Sequence, residues 1–317
     1  MRYGLPYKGS KNQIAKWLID QLPPAETFVD LFFGGGAVTH AALLSGKYKQ
    51  FIINDIDGRL PKLFLECAYG KHTTDTHPEW ISREEFFRRK DEDAYIALVW
   101  SFGNNGKDYI YGADVEQYKH AYHRAVFNGD LKPFEDLGIK LSRSTEKAIC
   151  DRYADYKRQL QRLYGANGKD RNEQLEWLQI AENIQRLQSL QSLQSLQSLQ
   201  SLQSLQSDYS EVEIPKDAVI YCDPPYEGTN CGKYDGFDSG RFHEWARRQD
   251  NIFISEYSMP DDFIVVAETE KVILSAANGN SQKATERIYT NQRTYSTMSE
   301  TQRNIIKFNT AEQLSLF

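Results

Sequence analysis

The apolar run Ala218–Cys222 reads as a buried strand, and Asp223-Pro224-Pro225-Tyr226 follows it directly. A proline cannot donate to a sheet ladder, and two in succession cannot continue a central strand, so the chain must leave the sheet here. Asp223 and Tyr226 are thereby displayed at the carboxyl end of a strand, the edge at which doubly wound sheets bind ligands.

A second strand ends in the same way. Phe28–Phe33 runs into Gly34-Gly35-Gly36, and a helical pattern begins near Ala37 with Val38, Ala41, Ala42 and Leu44. Glycines at such a turn take up positive φ and let the backbone approach a ligand closely. The spacing is not G-x-G-x-x-G, which speaks against a nicotinamide cofactor. The next apolar run, Phe51–Asn54, is followed by Asp55, a carboxylate placed to accept the ribose hydroxyls of an adenosine-containing cofactor or to cap a helix. Strand, helix and strand make a β-α-β unit of an α/β fold. Further strands are expected at Asn251–Ser255, Phe263–Ala267, Lys271–Ser275 and Arg303–Phe308.

Between about Pro61 and Gln206 the alternation of strands stops, and the sequence turns helical, charged and rich in tyrosine. From Lys140 to Arg171 there are nine Lys/Arg against four Asp/Glu, interleaved with Tyr153, Tyr156 and Tyr164. A local patch of this kind suits a phosphate backbone despite the net charge of −6, although charge runs are often only solvated helix faces. Leu187–Ser207 is a perfect Leu-Gln-Ser tripeptide repeated seven times. Each repeat advances about 300° on an α-helix, so the leucines spiral instead of forming a stripe, and on a strand they alternate between faces. A 3₁₀ helix would align them, but long runs of it are uncommon. We expect the helix Glu173–Arg186 to continue some way into the repeat, and the repeat to lie outside the cofactor sheet as a tolerated slippage product or a spacer.

No apolar run approaches the roughly 20 residues of a membrane span, and Met1–Pro24 lacks the apolar core of an export signal. Cys67, Cys150, Cys222 and Cys231 form no C-x-x-C pair, which predicts reduced thiols and no zinc framework. His120 and His123 have no nearby carboxylate or cysteine to complete a metal site, so no metal is expected.

Taken in order, Leu5-Pro-Tyr-Lys-Gly-Ser-Lys-Asn12, the glycine turn, the long insertion and Asp223-Pro-Pro-Tyr226 resemble the alpha group of the deoxyadenosine methylase (Dam-like) family of DNA N6-adenine methyltransferases. Ser10 stands where many relatives have a second glycine, and Gly34–Gly36 is one glycine richer than the usual turn. The resemblance implies a Rossmann-like S-adenosylmethionine-dependent methyltransferase sheet from residues 1–60 and 208–317. Residues 61–207 would then be an inserted, mainly helical target-recognition region carrying the 187–207 repeat.

Roles follow from the same resemblance. Tyr7 packs on S-adenosyl-L-methionine and Lys11 contacts it; Asp30, Gly34, Gly35 and Gly36 lie along its methionine moiety, and Asp55 on its ribose. Asp223 faces both cofactor and base. Adenine N6 is a poor nucleophile because its lone pair is delocalised into the ring. Asp223 and the Pro224 carbonyl accept its two hydrogens and favour a tetrahedral nitrogen aimed at the methyl group. The base must leave the duplex to be reached, with Tyr226 as its stacking surface and Pro225 completing the motif. Ser101–Tyr111 resembles the family's DNA-contacting loop, with Asn104, Asn105 and Lys107 as donors to bases and phosphates. Arg143, Arg152, Arg158 and Arg162 are expected to contact DNA too.

The implied enzyme is a cytoplasmic monomer, bacterial or phage-encoded, acting on double-stranded DNA. Cytosine N4, RNA adenine, or a catalytically silent DNA-binding relative are the alternatives; the intact Lys11, Asp55, Asp223, Pro225 and Tyr226 speak against the last. Gln313-Leu-Ser-Leu-Phe317 resembles the short peptide with which bacterial replication proteins dock on the sliding clamp.

Overall fold

The computed structural model describes residues 2–73, 79–164, 179–226, 236–274, 281–299 and 303. Two compact units divide the chain: the first takes residues up to Tyr3, Lys11–Pro61 and residues from Ser195 onward, and the second takes Gly4–Ser10 and Lys62–Gln194.

The first unit is built on one seven-stranded sheet. Its strands are β1 (Thr27–Asp30), β2 (Gln50–Asn54), β3 (Leu202–Leu205), β4 (Val219–Cys222), β5 (Ile252–Glu256), β6 (Ile264–Leu274) and β7 (Ser281–Thr290). Their spatial order is β3-β2-β1-β4-β5-β7-β6. The strands β1 to β5 pair in parallel, and β7 runs antiparallel to both of its neighbours. This is the α/β, Rossmann-like sheet expected from the sequence. Every residue of β1, β4 and β5 is buried, as a parallel strand covered on both faces requires. Val29, Ile220, Ile252 and Ile254 pack on one face with Tyr209, Phe242 and Trp245. Opposite them, Phe28 meets Tyr48 with ring centroids 4.9 Å apart.

Strand order reverses between β1 and β4, since the chain proceeds from β1 outward to β2 and from β4 outward to β5. Carboxyl ends of strands at such a switch point border the ligand crevice. Asp30 closes β1, Asp55 follows β2, and Asp223 follows β4.

Three readings of the sequence need correction. Phe263–Ala267 and Lys271–Ser275 are not separate strands: β6 runs unbroken from Ile264 to Leu274, with an irregularity between Val265 and Ala267 that absorbs the change of phase. Arg303 is helical, and the rest of the expected strand Arg303–Phe308 lies outside the described residues. The Leu-Gln-Ser repeat does not stay outside the sheet. The helix Gln179–Ser189 enters it as expected, Leu190–Ser195 tightens into a 3₁₀ helix, and Gln197–Gln200 forms one helical turn. The chain then extends into β3, parallel to β2, with Phe51 opposite Leu202 and Asn54 opposite Leu205. A three-residue period matches the three residues of a 3₁₀ turn, so Leu190 and Leu193 fall on one buried side while Ser192 and Ser195 face outward.

Among the described residues of the second unit the regular elements are helical, apart from one bridge between Ser101 and Tyr109. Ser82 caps Arg83–Arg89 by accepting from the Glu85 N–H at 3.1 Å, and Asp93 caps Ala94–Val99 through the Ile96 N–H at 3.2 Å. Trp80, Trp100, His123 and Phe127 pack ring to ring in its core, and burial pushes the His123 pKa down to about 3, so its ring is a neutral packing group. No cluster of metal-ligating side chains occurs among the described residues.

Candidate active site

Where β4 ends, the two prolines carry Asp223 and Tyr226 out of the sheet, and a buried lysine gathers them. Lys11 Nζ lies 2.9 Å from Asp223 Oδ1 and 3.1 Å from Glu286 Oε1. It also donates to the Tyr226 hydroxyl at 2.5 Å and stands 4.5 Å from the centre of the Tyr226 ring. The Tyr226 hydroxyl in turn donates to Glu286 Oε1 at 2.5 Å. Tyr257 meets the Tyr226 ring edge to face, centroids 4.6 Å apart. Burial works against the charge on Lys11, but Asp223 and Glu286 outweigh it and hold the ammonium above its ordinary range. Burial, then the charges of Asp223 and Glu286, push the Tyr226 hydroxyl far up, so it stays a neutral donor.

Glu256, at the end of β5, belongs to the same electrostatic neighbourhood. Burial pushes it up to about 7 against the hydrogen bond it accepts from the Tyr257 N–H at 2.8 Å, and Asp223 and Glu286 add to the rise. Neither Glu256 nor Glu286 is marked by a motif. Glu286, Ile288, Tyr289 and Thr290 are all buried, so no inward and outward alternation marks Glu286 in the sequence.

The glycine turn lies at the end of β1. Gly34 and Gly36 have φ of 50° and 65°, on either side of Gly35, and a Cβ on Gly36 would come within 2.2 Å of the Phe33 ring. Asp55 binds the turn to the end of β2: its Oδ2 accepts from the Gly34 N–H at 2.7 Å and its Oδ1 from the Asp57 N–H at 2.8 Å. Asp30 Oδ2 accepts from the Thr39 hydroxyl at 2.7 Å, while Oδ1 is buried without a hydrogen-bond partner among the described residues. Burial raises the Asp30 pKa to about 7, against the Thr39 hydrogen bond, and the charges of Asp223 and Asp55 reinforce the rise. A glycine turn with positive φ, a buried carboxylate after β2 and an unsatisfied buried oxygen at the end of β1 fit an adenosine-bearing ligand with a polar tail.

Tyr7 belongs to the second unit, so the N-terminal motif is divided between the units. Its carbonyl accepts from Ser10 N–H at 3.2 Å, and Arg186 holds the segment through Gly4 O at 3.1 Å and Ser10 Oγ at 3.4 Å. In the same unit, the loop expected to meet DNA spends its amides on its own shape. Asn104, at φ 56°, donates to Leu98 O at 2.8 Å. Asn105 donates to Asp108 at 2.8 Å and accepts from the Lys107 N–H at 2.8 Å. Phe102, Lys107 and Asp108 are the exposed side chains there, Phe102 at 57%. Arg143 is exposed and reaches Gly129 O at 3.4 Å, Arg158 is exposed 3.7 Å from Asp155, Arg162 is exposed, and Arg152 is half-buried.

A doubly wound sheet that carries an antiparallel β7 between β5 and β6, and that presents Asp-Pro-Pro-Tyr and a glycine turn at its switch point, has the arrangement of a methyltransferase acting on the amino group of a nucleobase. The sequence matches the D12 class N6 adenine-specific DNA methyltransferase family over residues 7–305, most of its 317 residues, and the chain belongs to that family. It is an adenine-specific DNA methyltransferase that methylates N6. No individually curated protein matches it. Among the described residues no helix is long and apolar enough to cross a membrane.

Proposed function

We propose that the methyl donor is S-adenosyl-L-methionine, and that the substrate is an adenine flipped out of double-stranded DNA. The observation that carries this reading is the convergence of Lys11, Asp223 and Tyr226 at the end of β4. When bound, the cofactor supplies an electrophilic methyl group on a sulfonium. Asp30 and the turn Gly34–Gly36 would hold its methionine end, Asp55 its ribose, and Tyr7 and Lys11 would contact it. Asp223, paired with Lys11, accepts a hydrogen bond from one N6 hydrogen and the Pro224 carbonyl from the other. The nitrogen lone pair is thereby turned out of the ring as charge develops on N6. Tyr226 offers its ring to the base, and the residue's own hydroxyl anchors that ring. Lys62–Gln194 of the second unit would supply target recognition, with Lys107, Arg143 and Arg158 on phosphates or bases and Asn104 and Asn105 shaping the loop that presents them.

Transfer of label from S-adenosyl-L-methionine, compared on duplex DNA, single-stranded DNA and RNA, tests this reading. Methylation confined to the duplex upholds it, and preference for RNA overturns it. Gln313–Phe317 lies outside the described residues. We propose it as a sliding-clamp peptide on its sequence alone, since a glutamine with Leu316 and Phe317 suits an apolar pocket. Full-length protein and protein truncated before Gln313, titrated against purified bacterial clamp, decide it: equal binding by both removes the proposal.

A further inference from the structure

Glu286 is the most enclosed carboxylate of the network, with 1% of its surface exposed on a strand whose neighbouring positions are largely polar. Its Oε1 takes both the Lys11 ammonium and the Tyr226 hydroxyl, and its Oε2 is buried with no hydrogen-bond partner among the described residues. Burying a carboxylate is costly unless it is paired, and one lysine already has Asp223 as a partner. A merely structural pair would be satisfied by Lys11 and Asp223. The second carboxylate does two further things. It shares the lysine's charge, so that Asp223 is not the sole seat of the ammonium, and it fixes the plane of the Tyr226 ring through the hydroxyl.

From this geometry we infer that Glu286 is a positioning residue for methyl transfer, dividing Lys11 between itself and Asp223 and locking Tyr226 for the incoming adenine. The inference rests on the roles proposed for Asp223 and Tyr226. It deepens them by assigning the orientation of both to one side chain on β7. The groups facing Lys11 are Asp223 and Tyr226 after β4, Glu286 on β7, and Glu256 with Tyr257 at the end of β5. Glu286→Gln keeps the volume and an acceptor for Tyr226 but removes the charge. Lys11 then loses one of the two carboxylates that hold its proton, and its pKa falls.

The test is single-turnover methylation of duplex DNA across pH, with circular dichroism and thermal melting to establish that each variant is folded. In Glu286→Gln the rate is expected to fall by about a hundredfold, the order that a misplacement of about 1 Å produces. The alkaline limb of its pH profile moves to lower pH, and because Lys11 also contacts the cofactor, cofactor affinity by titration falls too, but by less than the rate. Glu286→Asp keeps the charge but not the reach, so its rate falls while its alkaline limb stays in place; it decides the matter if the glutamine variant does not fold. A parental rate and an unmoved limb in Glu286→Gln, or a parental rate in Glu286→Asp, overturns the inference. Asp223→Ala is the control. If it is inactive while Glu286→Gln is normal, only this inference fails; if it is active, the reading of the site fails first and this inference with it.

Discussion

Asn54, the last residue of β2, and Ser207, the last residue of the tripeptide repeat, hold each other by two hydrogen bonds. The Asn54 amide donates to Ser207 O at 3.0 Å, and the Ser207 N–H donates to Asn54 Oδ1 at 3.0 Å. The same amide also donates to Leu31 O at 3.2 Å, so one side chain gathers β1, β2 and the end of the repeat. Asn54→Ala strands these backbone groups in a buried place, at about 1–3 kcal/mol. A lower urea midpoint with an unchanged slope would show it; an unchanged midpoint would mean that the clasp carries no net stability.

Whole-unit changes in the repeat should be tolerated where single-residue changes are not. Any Leu-Gln-Ser-Leu window reproduces β3, because the units are identical. Deleting one unit therefore leaves the strand facing Phe51–Asn54 unaltered in sequence and takes the loss from the 3₁₀ and single-turn stretch before it. Deleting one serine breaks the phase and exchanges the faces of β3 beyond it. Thermal melts near the parent for the unit deletion, and a clear fall for the single-residue deletion, are expected. Equal falls would mean that the 3₁₀ stretch has no slack. Since β3 runs beside the strand that carries Asp55 at its end, removing Leu196–Leu205 altogether should lower cofactor affinity. That outcome is the reverse of what a repeat lying outside the sheet would give.

Asp223→Ala is expected to abolish methylation, as the sequence alone suggests, but not to leave stability untouched. It takes from a buried lysine its 2.9 Å partner and leaves Glu286 and Tyr226 as the remaining ones. The loss should stay below the about 3–5 kcal/mol of a buried charge stranded outright. Tyr226→Phe keeps the ring face but removes the hydroxyl between Lys11 and Glu286. Its rate should therefore fall measurably, and Tyr226→Ala should fall further. Single-turnover rates order the three variants, and a phenylalanine variant equal to the parent would show that the hydroxyl is incidental.

What could be read in advance were the features whose signal is local. The largely apolar runs of β1, β2, β4 and β5, the glycine turn and Asp-Pro-Pro-Tyr state their structure within a few residues of themselves. β3 could not be read, because a period of three fits neither strand nor α-helix, and only the open edge of β2 makes Leu202–Leu205 extended. β7 was missed for a related reason. Ser-Gln-Lys-Ala-Thr-Glu has the polarity of a loop, and its inward glutamate is accounted for only by Lys11 and Tyr226, both far away in sequence. Asn104 and Asn105 read as donors for DNA because nothing local shows that Leu98 O and Asp108 will take their amides.

Asp30 makes the stability of the fold depend on pH in a defined direction. Its carboxyl is buried, is raised to about 7 in the folded protein, and starts from 3.8. Between those values the folded chain binds more protons at this site than the unfolded chain, so stability falls as pH rises. The contribution is complete below about pH 4 and lost by the time pH has passed through 7. Glu256, also raised to about 7, acts in the same sense. Asp30→Asn removes the ionisation while keeping an acceptor for the Thr39 hydroxyl. Relative to the parent, the variant should therefore gain stability at pH 8 compared with pH 5, read as the difference in urea midpoints at the two values. Removing Thr39 as well should not reverse the sign, because burial and not that hydrogen bond is the largest influence on Asp30. A difference that stays constant between pH 5 and 8 would mean that Asp30 is ionised in the folded protein throughout this range.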